Sequence, residues 1–252
     1  MKQKVRSIIA ASVFAVIASG CQQISSDSLV GLGTQTAQVM SLTNQEVKTL
    51  SDDSCAAMDA ESKIAPASSP YTARLNKIAD TLGHDINGTA INYKVYLTSD
   101  VNAWAMANGC VRVYSGLMDL MTDNEIQGVL GHELGHVALG HSKRSIQVAY
   151  GAEIARGAIA ATTSGILATL TKSQIGDLAQ QVVTSQFSQH QETEADNYSF
   201  DFLVKKGINP VGIATAFEKL GGGEATLLST HPSSSDRSKN IYNRIEKLNQ
   251  SK

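Results

Sequence analysis

Several things are missing from this chain, and each absence narrows what it can be. Basic residues are not in excess, with 21 Lys and Arg against 23 Asp and Glu, so a nucleic-acid partner, which needs a basic face, is not expected. No apolar run is long enough to cross a bilayer: Ile8 to Ala18 and the stretch after Arg156 both fall short of the roughly 20 residues required. There is no internal repeat and no low-complexity tract, which excludes stacked-repeat architectures. Cysteine is scarce, at three in 252 residues, so at most one disulfide can form within the chain.

The two ends of the chain read differently. Lys2, Lys4 and Arg6 precede the apolar run, and Ala18-Ser19-Gly20 precede Cys21, the pattern of a secretory signal over residues 1–20. A cysteine directly after small residues resembles the lipobox of bacterial lipoproteins, in which that cysteine is acylated; the alternative is a soluble secreted protein cut nearby. Removing residues 1–20 takes away three of the 21 basic residues and no acidic one, leaving 18 against 23. Residues 21–42 then form a lipidated N-terminus and a tether rich in Ser, Gly, Gln and Thr. The remaining 43–252 make one domain. With Cys21 assigned to lipid, Cys55 and Cys110 are an even remainder in an oxidising compartment and are expected to pair, tying an N-terminal helix to a strand; otherwise they are two buried thiols.

His132-Glu133-Leu134-Gly135-His136 carries the chemistry. On a helix the two imidazoles lie one turn apart and can hold one zinc ion, with Glu133 beside them as the catalytic base. Thr122 and Glu125 have capping-box spacing and start that helix upstream of His132. Ile126, Val129, Leu130, Leu134 and Val137 supply its apolar stripe. Gly128, Gly131 and Gly135 each cost about 1 kcal/mol against alanine on a helix, and all lie beside the histidine face, so something packs close there.

A catalytic zinc site takes a third protein ligand from elsewhere. Residues Phe187 to Lys206 read as a helix on which Glu192, Asp196, Ser199 and Leu203 share a face, whereas Glu194 points about 160° from Glu192. Glu192 is therefore the expected ligand. Asp196 is placed to accept a hydrogen bond from a ligand histidine, and Glu194 suits a solvated face. His231 and Arg237, in a His-Pro loop and the start of the last helix, are candidates for an oxyanion donor or for a latch in which His231 takes the fourth position on zinc. His141, nine residues after His132, falls on the opposite side of an extended helix and reads as a surface residue. His84 and His190 receive no function.

Elsewhere the periodicity is legible. A capping box at Thr43 to Glu46 opens a helix with Val47, Leu50 and Met58, and Ala65 to Pro70 breaks it. A second helix runs from about Tyr71 to Leu82 and stops at Gly83. Ile91, Tyr93, Val95 and Leu97 alternate as a strand, and Asn108-Gly109 marks a hairpin. The sum is an α+β, mainly α-helical fold, with a small antiparallel sheet of about three strands beside the His-Glu-x-x-His helix. The edge of that sheet can hold an extended peptide as one more strand, unless it is a purely structural meander. Ser145 to Thr171 reads as a buried or membrane-apposed helical hairpin, and Ile241, Ile245 and Leu248 lie on the last helix.

His132, Glu133 and His136, then Glu192 and Asp196, then His231 and Arg237 resemble the motif set of the gluzincin metallopeptidase family that includes HtpX, BepA and the CAAX prenyl proteases, over roughly residues 43 to 249. Within it, Asn92 to Tyr96 and Met121 to Glu125 look most like an outer-membrane lipoprotein member. The resemblance implies a zincin-like fold with Zn2+ between two motif helices. It also implies a periplasmic endopeptidase, anchored to the outer membrane, whose partners are unfolded or misassembled envelope proteins. A zinc-containing chaperone or assembly factor for outer-membrane proteins, and a hydrolase of envelope glycan or lipid, are the rival readings.

Overall fold

A computed structural model describes residues 42–157, 170–221, 227–231 and 235–250. The signal segment, Cys21, nearly all of the tether and the apolar residues 158–169 lie outside the described residues, as do Pro232 to Ser234. Among the described residues no helix is long and apolar enough to cross a membrane.

Helix α1 (Asn44–Glu61) begins at the expected box, with Thr43 as N-cap and Glu46 reaching back to the Thr43 amide at 2.7 Å. Such caps contribute about 1 kcal/mol each. Helix α2 (Pro70–Leu82) is capped by Ser69 and ends at Gly83. A short hairpin, β1 (Asp85–Ile86) and β2 (Thr89–Ala90), leads into β3 (Asn92–Tyr96), β4 (Ala103–Ala105) and β5 (Cys110–Tyr114). Helices α3 (Ser115–Leu120) and α4 (Asp123–Ala138) follow, then α5 (His141–Ala155), α6 (Lys172–Thr184), α7 (Gln189–Lys205), α8 (Val211–Leu220), the single turn α9 (Leu227–Thr230) and α10 (Ser235–Gln250).

The sheet has the expected three strands but is mixed, not antiparallel. Its order is β3-β5-β4, with β3 and β5 parallel and β4 and β5 antiparallel. The reason lies in β5, which is buried along nearly its whole length, with the sequence Cys-Val-Arg-Val-Tyr. Such a strand needs a neighbour on each edge, so the β4–β5 hairpin inserts it between β3 and β4, and it runs in the same sense as β3. Lys63 to Ala65 cover the outer edge of β3 through backbone hydrogen bonds to Val95 and Leu97. That leaves β4 as the edge facing α4.

Helix α4 is the axis of the domain and is buried from Gly128 through His136. Ile126, Val129, Leu130 and Leu134 join Val95, Val111 and Val113 of the sheet, Phe200 and Leu203 of α7 and Ile213 of α8 in the main core. The close packing expected of the three glycines is present. A methyl on Gly128 would stand 2.7 Å from the Ile213 amide nitrogen, one on Gly131 2.5 Å from Ser199 Oγ, and one on Gly135 3.1 Å from the Ala195 carbonyl. These glycines let α7 and α8 press against the histidine helix. A smaller core joins Val47 and Leu50 of α1 to Ile146 and Tyr150 of α5 and to Leu178 and Val182 of α6. Cys55 of α1 and Cys110 of β5 form the expected disulfide.

Candidate metal centre

Thr122 caps α4 through the expected box, its amide donating to Glu125 Oε2 at 2.8 Å. The helix then carries His132 and His136 side by side, their Nε2 atoms 3.0 Å apart. Helix α7 brings Glu192 against them: Oε1 is 3.4 Å from His136 Nε2, and Oε2 is 3.5 Å from His132 Nε2. His231 closes the group, with Nδ1 3.0 Å from Glu192 Oε1 and 3.2 Å from His132 Nε2. All four side chains are buried.

The donor set fits a tetrahedral metal ion. A tetrahedron built on metal–nitrogen bonds of about 2.0–2.1 Å has edges of about 3.4 Å; five contacts among these groups, taken over both Glu192 oxygens, run from 3.0 to 3.5 Å, and one donor atom from each of the four lies within 4.8 Å of the others. Burial pushes His136 well below the usual imidazole range, so it is neutral and presents a lone pair. Burial alone would raise Glu192, but the imidazoles of His136 and His231 beside it outweigh that and hold the carboxyl far below its ordinary value. Three nitrogens and one carboxylate aimed at a single point are what a divalent cation requires.

Glu133 is not part of this corner. Its side chain is 3 % exposed, Oε1 has no hydrogen-bond partner, and His231 Nε2 stands 3.4 Å from it. Burial drives its carboxyl upward, against the opposing pull of His231 and His132. Behind His132, Asp196 Oδ1 lies 2.8 Å from Nδ1. Arg237 donates to both Asp196 oxygens at 2.6 and 2.7 Å, and its Nη1 pairs with Glu192 Oε2 at 2.8 Å, at an angle suited to an ion pair rather than a hydrogen bond. The guanidinium lies 4.1 Å over the Phe217 ring. Expected as an oxyanion or latch candidate, Arg237 instead sits behind the donor set and binds its carboxylates.

Two residues escaped the sequence reading. His141 is buried, not a surface residue, with Nδ1 3.0 Å from His136 Nδ1 and Nε2 3.4 Å from Glu194 Oε2. A straight helical wheel fails there because α4 ends at Ala138 and Gly140 adopts φ +77°, a left-handed step that turns the next helix back toward the site. The signal was available: a glycine just after an apolar run is a helix stop. Glu194 lies on a solvated face as expected, its side chain 42 % exposed, and from there it reaches both His141 and His190. The second residue is Phe187, whose ring stacks on His136 at 3.8 Å and 19°. It lies outside α7, which starts one residue after its Ser188 cap; the box Ser188 to Gln191 marks that start.

What remains is the use of such a corner. A buried carboxylate with an oxygen that accepts no hydrogen bond costs free energy anywhere in a fold, and beside a cluster of metal donors it is the arrangement of a hydrolytic metal enzyme. The protein is a metalloendopeptidase. Residues 71–245 match the model of peptidase family M48, and the chain belongs to that family. It is 50% identical to the metalloprotease LoiP of Escherichia coli (strain K12), over 96% of this chain and 97% of that protein. It is 47% identical to the metalloprotease YcaL of the same organism, over 94% and 96%. The β-barrel assembly-enhancing protease of Escherichia coli (strain K12) is 27% identical over 70% of this chain and 39% of its own length.

Proposed function

We propose that the protein is a zinc endopeptidase of the bacterial envelope, held at the outer membrane by lipid on Cys21, that cleaves unfolded or misassembled envelope polypeptides from the periplasmic side. One observation carries the catalytic part: the buried Glu133 carboxylate, with a free oxygen, beside four converging metal donors. The lipobox-like run before Cys21 supports the anchor. A relative named for enhancing β-barrel assembly supports an envelope substrate.

His132, His136 and Glu192 would hold the ion. When bound, zinc supplies a Lewis acid for the scissile carbonyl and lowers the pKa of water. Glu133 accepts the proton of the attacking water at Oε1 and returns it to the leaving amine; its burial favours a carboxyl that both takes and releases a proton. Arg237 and Asp196 fix His132 from behind. Substrate lies along β4, where the register turns the Ala103 and Ala105 backbones away from β5; Ala105, whose carbonyl accepts from Ser142, lines one space with Glu133.

His231 is the resting latch in this reading. Its Nδ1 stands at the fourth corner of the donor set, and the space between β4, Glu133, Ser142, Phe187 and His231 is about 20 Å³, room for about one water. A polypeptide enters only after His231 is displaced from that corner. The test is cleavage of casein by protein lacking residues 1–21, comparing wild type, Glu133→Gln and His231→Ala at matched zinc content. Cleavage by wild type, its loss in Glu133→Gln and its rise in His231→Ala are expected. Cleavage by a zinc-loaded Glu133→Gln variant would sink the assigned base. Silence from all three would favour the client-binding chaperone, a reading to which the closed cleft lends some weight.

A further inference from the structure

Each ligand imidazole needs its second nitrogen tied down, or the ring can rotate and the metal-facing lone pair is no longer fixed. For His132 the tie is Asp196 at 2.8 Å. For His136 the only polar contact recorded at Nδ1, among the described residues, is His141 Nδ1 at 3.0 Å. Two neutral imidazoles can share that contact in one way only, with one nitrogen donating and the other accepting. If Nε2 of His136 faces the metal, its Nδ1 carries the hydrogen and His141 Nδ1 accepts it. His141 must then carry its own hydrogen on Nε2, the nitrogen facing Glu194 Oε2 at 3.4 Å. The chain of atoms is consistent from metal corner to surface carboxylate.

Its scaffold is built for the purpose. Gly140 turns the backbone so that His141 faces His136, and Ser142 Oγ, one residue on, donates to the Ala105 carbonyl at 3.1 Å and pins the start of α5 to β4. Phe187 stacks on the His136 ring, so that ring is held on a face by Phe187 and at its far nitrogen by His141.

We propose that His141 is a positioning residue that accepts the His136 Nδ1 hydrogen and, backed by Glu194, fixes His136 in its metal-binding tautomer and orientation. This rests on the metal-centre reading above. The test is zinc affinity by chelator competition for wild type, His141→Leu, His141→Asn and His136→Ala. Asparagine keeps an acceptor oxygen where Nδ1 stood; leucine keeps the bulk and removes the acceptor. Loss of 10- to 100-fold in His141→Leu is expected, the range for removing such a partner, with His141→Asn within about threefold of wild type. Leucine matching wild type, or asparagine as weak as leucine, would overturn the proposal while leaving the centre standing. Zinc affinity unchanged in His136→Ala would overturn both. A measurement on the unaltered zinc-loaded protein stands beside these: imidazole nitrogen NMR should show His141 protonated on Nε2, and protonation on Nδ1 would refute the assignment even if the leucine variant fails to fold.

Discussion

The two histidines of the metal centre are one helical turn apart, yet they are supported in different ways. His132 backs onto a buried ion-paired wall, Asp196 locked by Arg237, with every member shielded from solvent. His136 backs onto a neutral ring, His141, whose own partner Glu194 is 42 % exposed on its side chain. The first support is bound into the fold, because removing one member of a buried pair leaves charge without a partner. The second can be removed without stranding a charge. One centre therefore has a flank tied to folding and a flank tied to metal affinity.

The largest effect that would sharpen this contrast is Asp196→Ala, which takes from the buried Arg237 the carboxylate that accepts two of its hydrogen bonds. Urea unfolding of the metal-free protein should show a loss of about 3 kcal/mol, against about 1 kcal/mol for His141→Leu, which leaves one neutral donor without its acceptor; equal losses would break the comparison. Next comes Gly128→Ala, which drives a methyl into the Ile213 backbone and displaces α8, whose Phe217 supports Arg237. A loss of about 1–3 kcal/mol is expected, and a wild-type melting curve would mean that α8 does not brace the ionic flank. Gly140→Ala acts on the other flank. Nothing lies within 4 Å of the added methyl, so the effect is confined to the left-handed backbone, about 1 kcal/mol, accompanied by weaker zinc binding as His141 shifts.

The smallest effect is a control away from the centre. Asp59 pairs with the buried Arg112 at 2.7 Å and also accepts from Lys94 and Tyr96. Burial opposes ionisation, but these bonds bring its carboxyl down to about 2. Its folded value is below the unfolded one, so its contribution is full above about pH 4 and is lost as pH falls toward 2. That contribution is on the order of 1 kcal/mol after solvent screening. Replacing Asp59 by Asn should flatten the acid limb of the stability curve between those values, and an unchanged limb would show that carboxylate–arginine pairs in this fold are not felt in its stability.

Much of the centre was legible because helical geometry converts spacing into direction. His132 and His136, Glu192 rather than Glu194, and Asp196 one turn on all meet as the wheel requires. The capping boxes at Thr43 and Thr122 set helix starts to the residue. What failed did so where the backbone departs from that regularity. A wheel continued through Gly140 sends His141 outward, whereas the left-handed step there turns it in, and Phe187 precedes the helix whose pattern it continues. The sheet was misjudged because strand order is a tertiary fact: alternation in 91–97 and a hairpin at 108–109 fix two local segments but not that β5 would slip between β3 and β4. Helix α6, which walls the cleft, opens at a capping box, Thr171 and Gln174, that directly follows an apolar stretch and is masked by it in the hydropathy pattern.

The covalent link between α1 and β5 has a mechanical meaning. Any pull on the chain ahead of Asn44 enters the domain through α1, and Cys55 lies within that helix. The tension passes through the bond to Cys110 and into β5, the strand held by neighbours on both edges. From there it is spread across the sheet. Neither α4 nor α7 lies on that path, so a domain tugged from its N-terminal side keeps its histidines and Glu192 in register while its outer helix bears the strain.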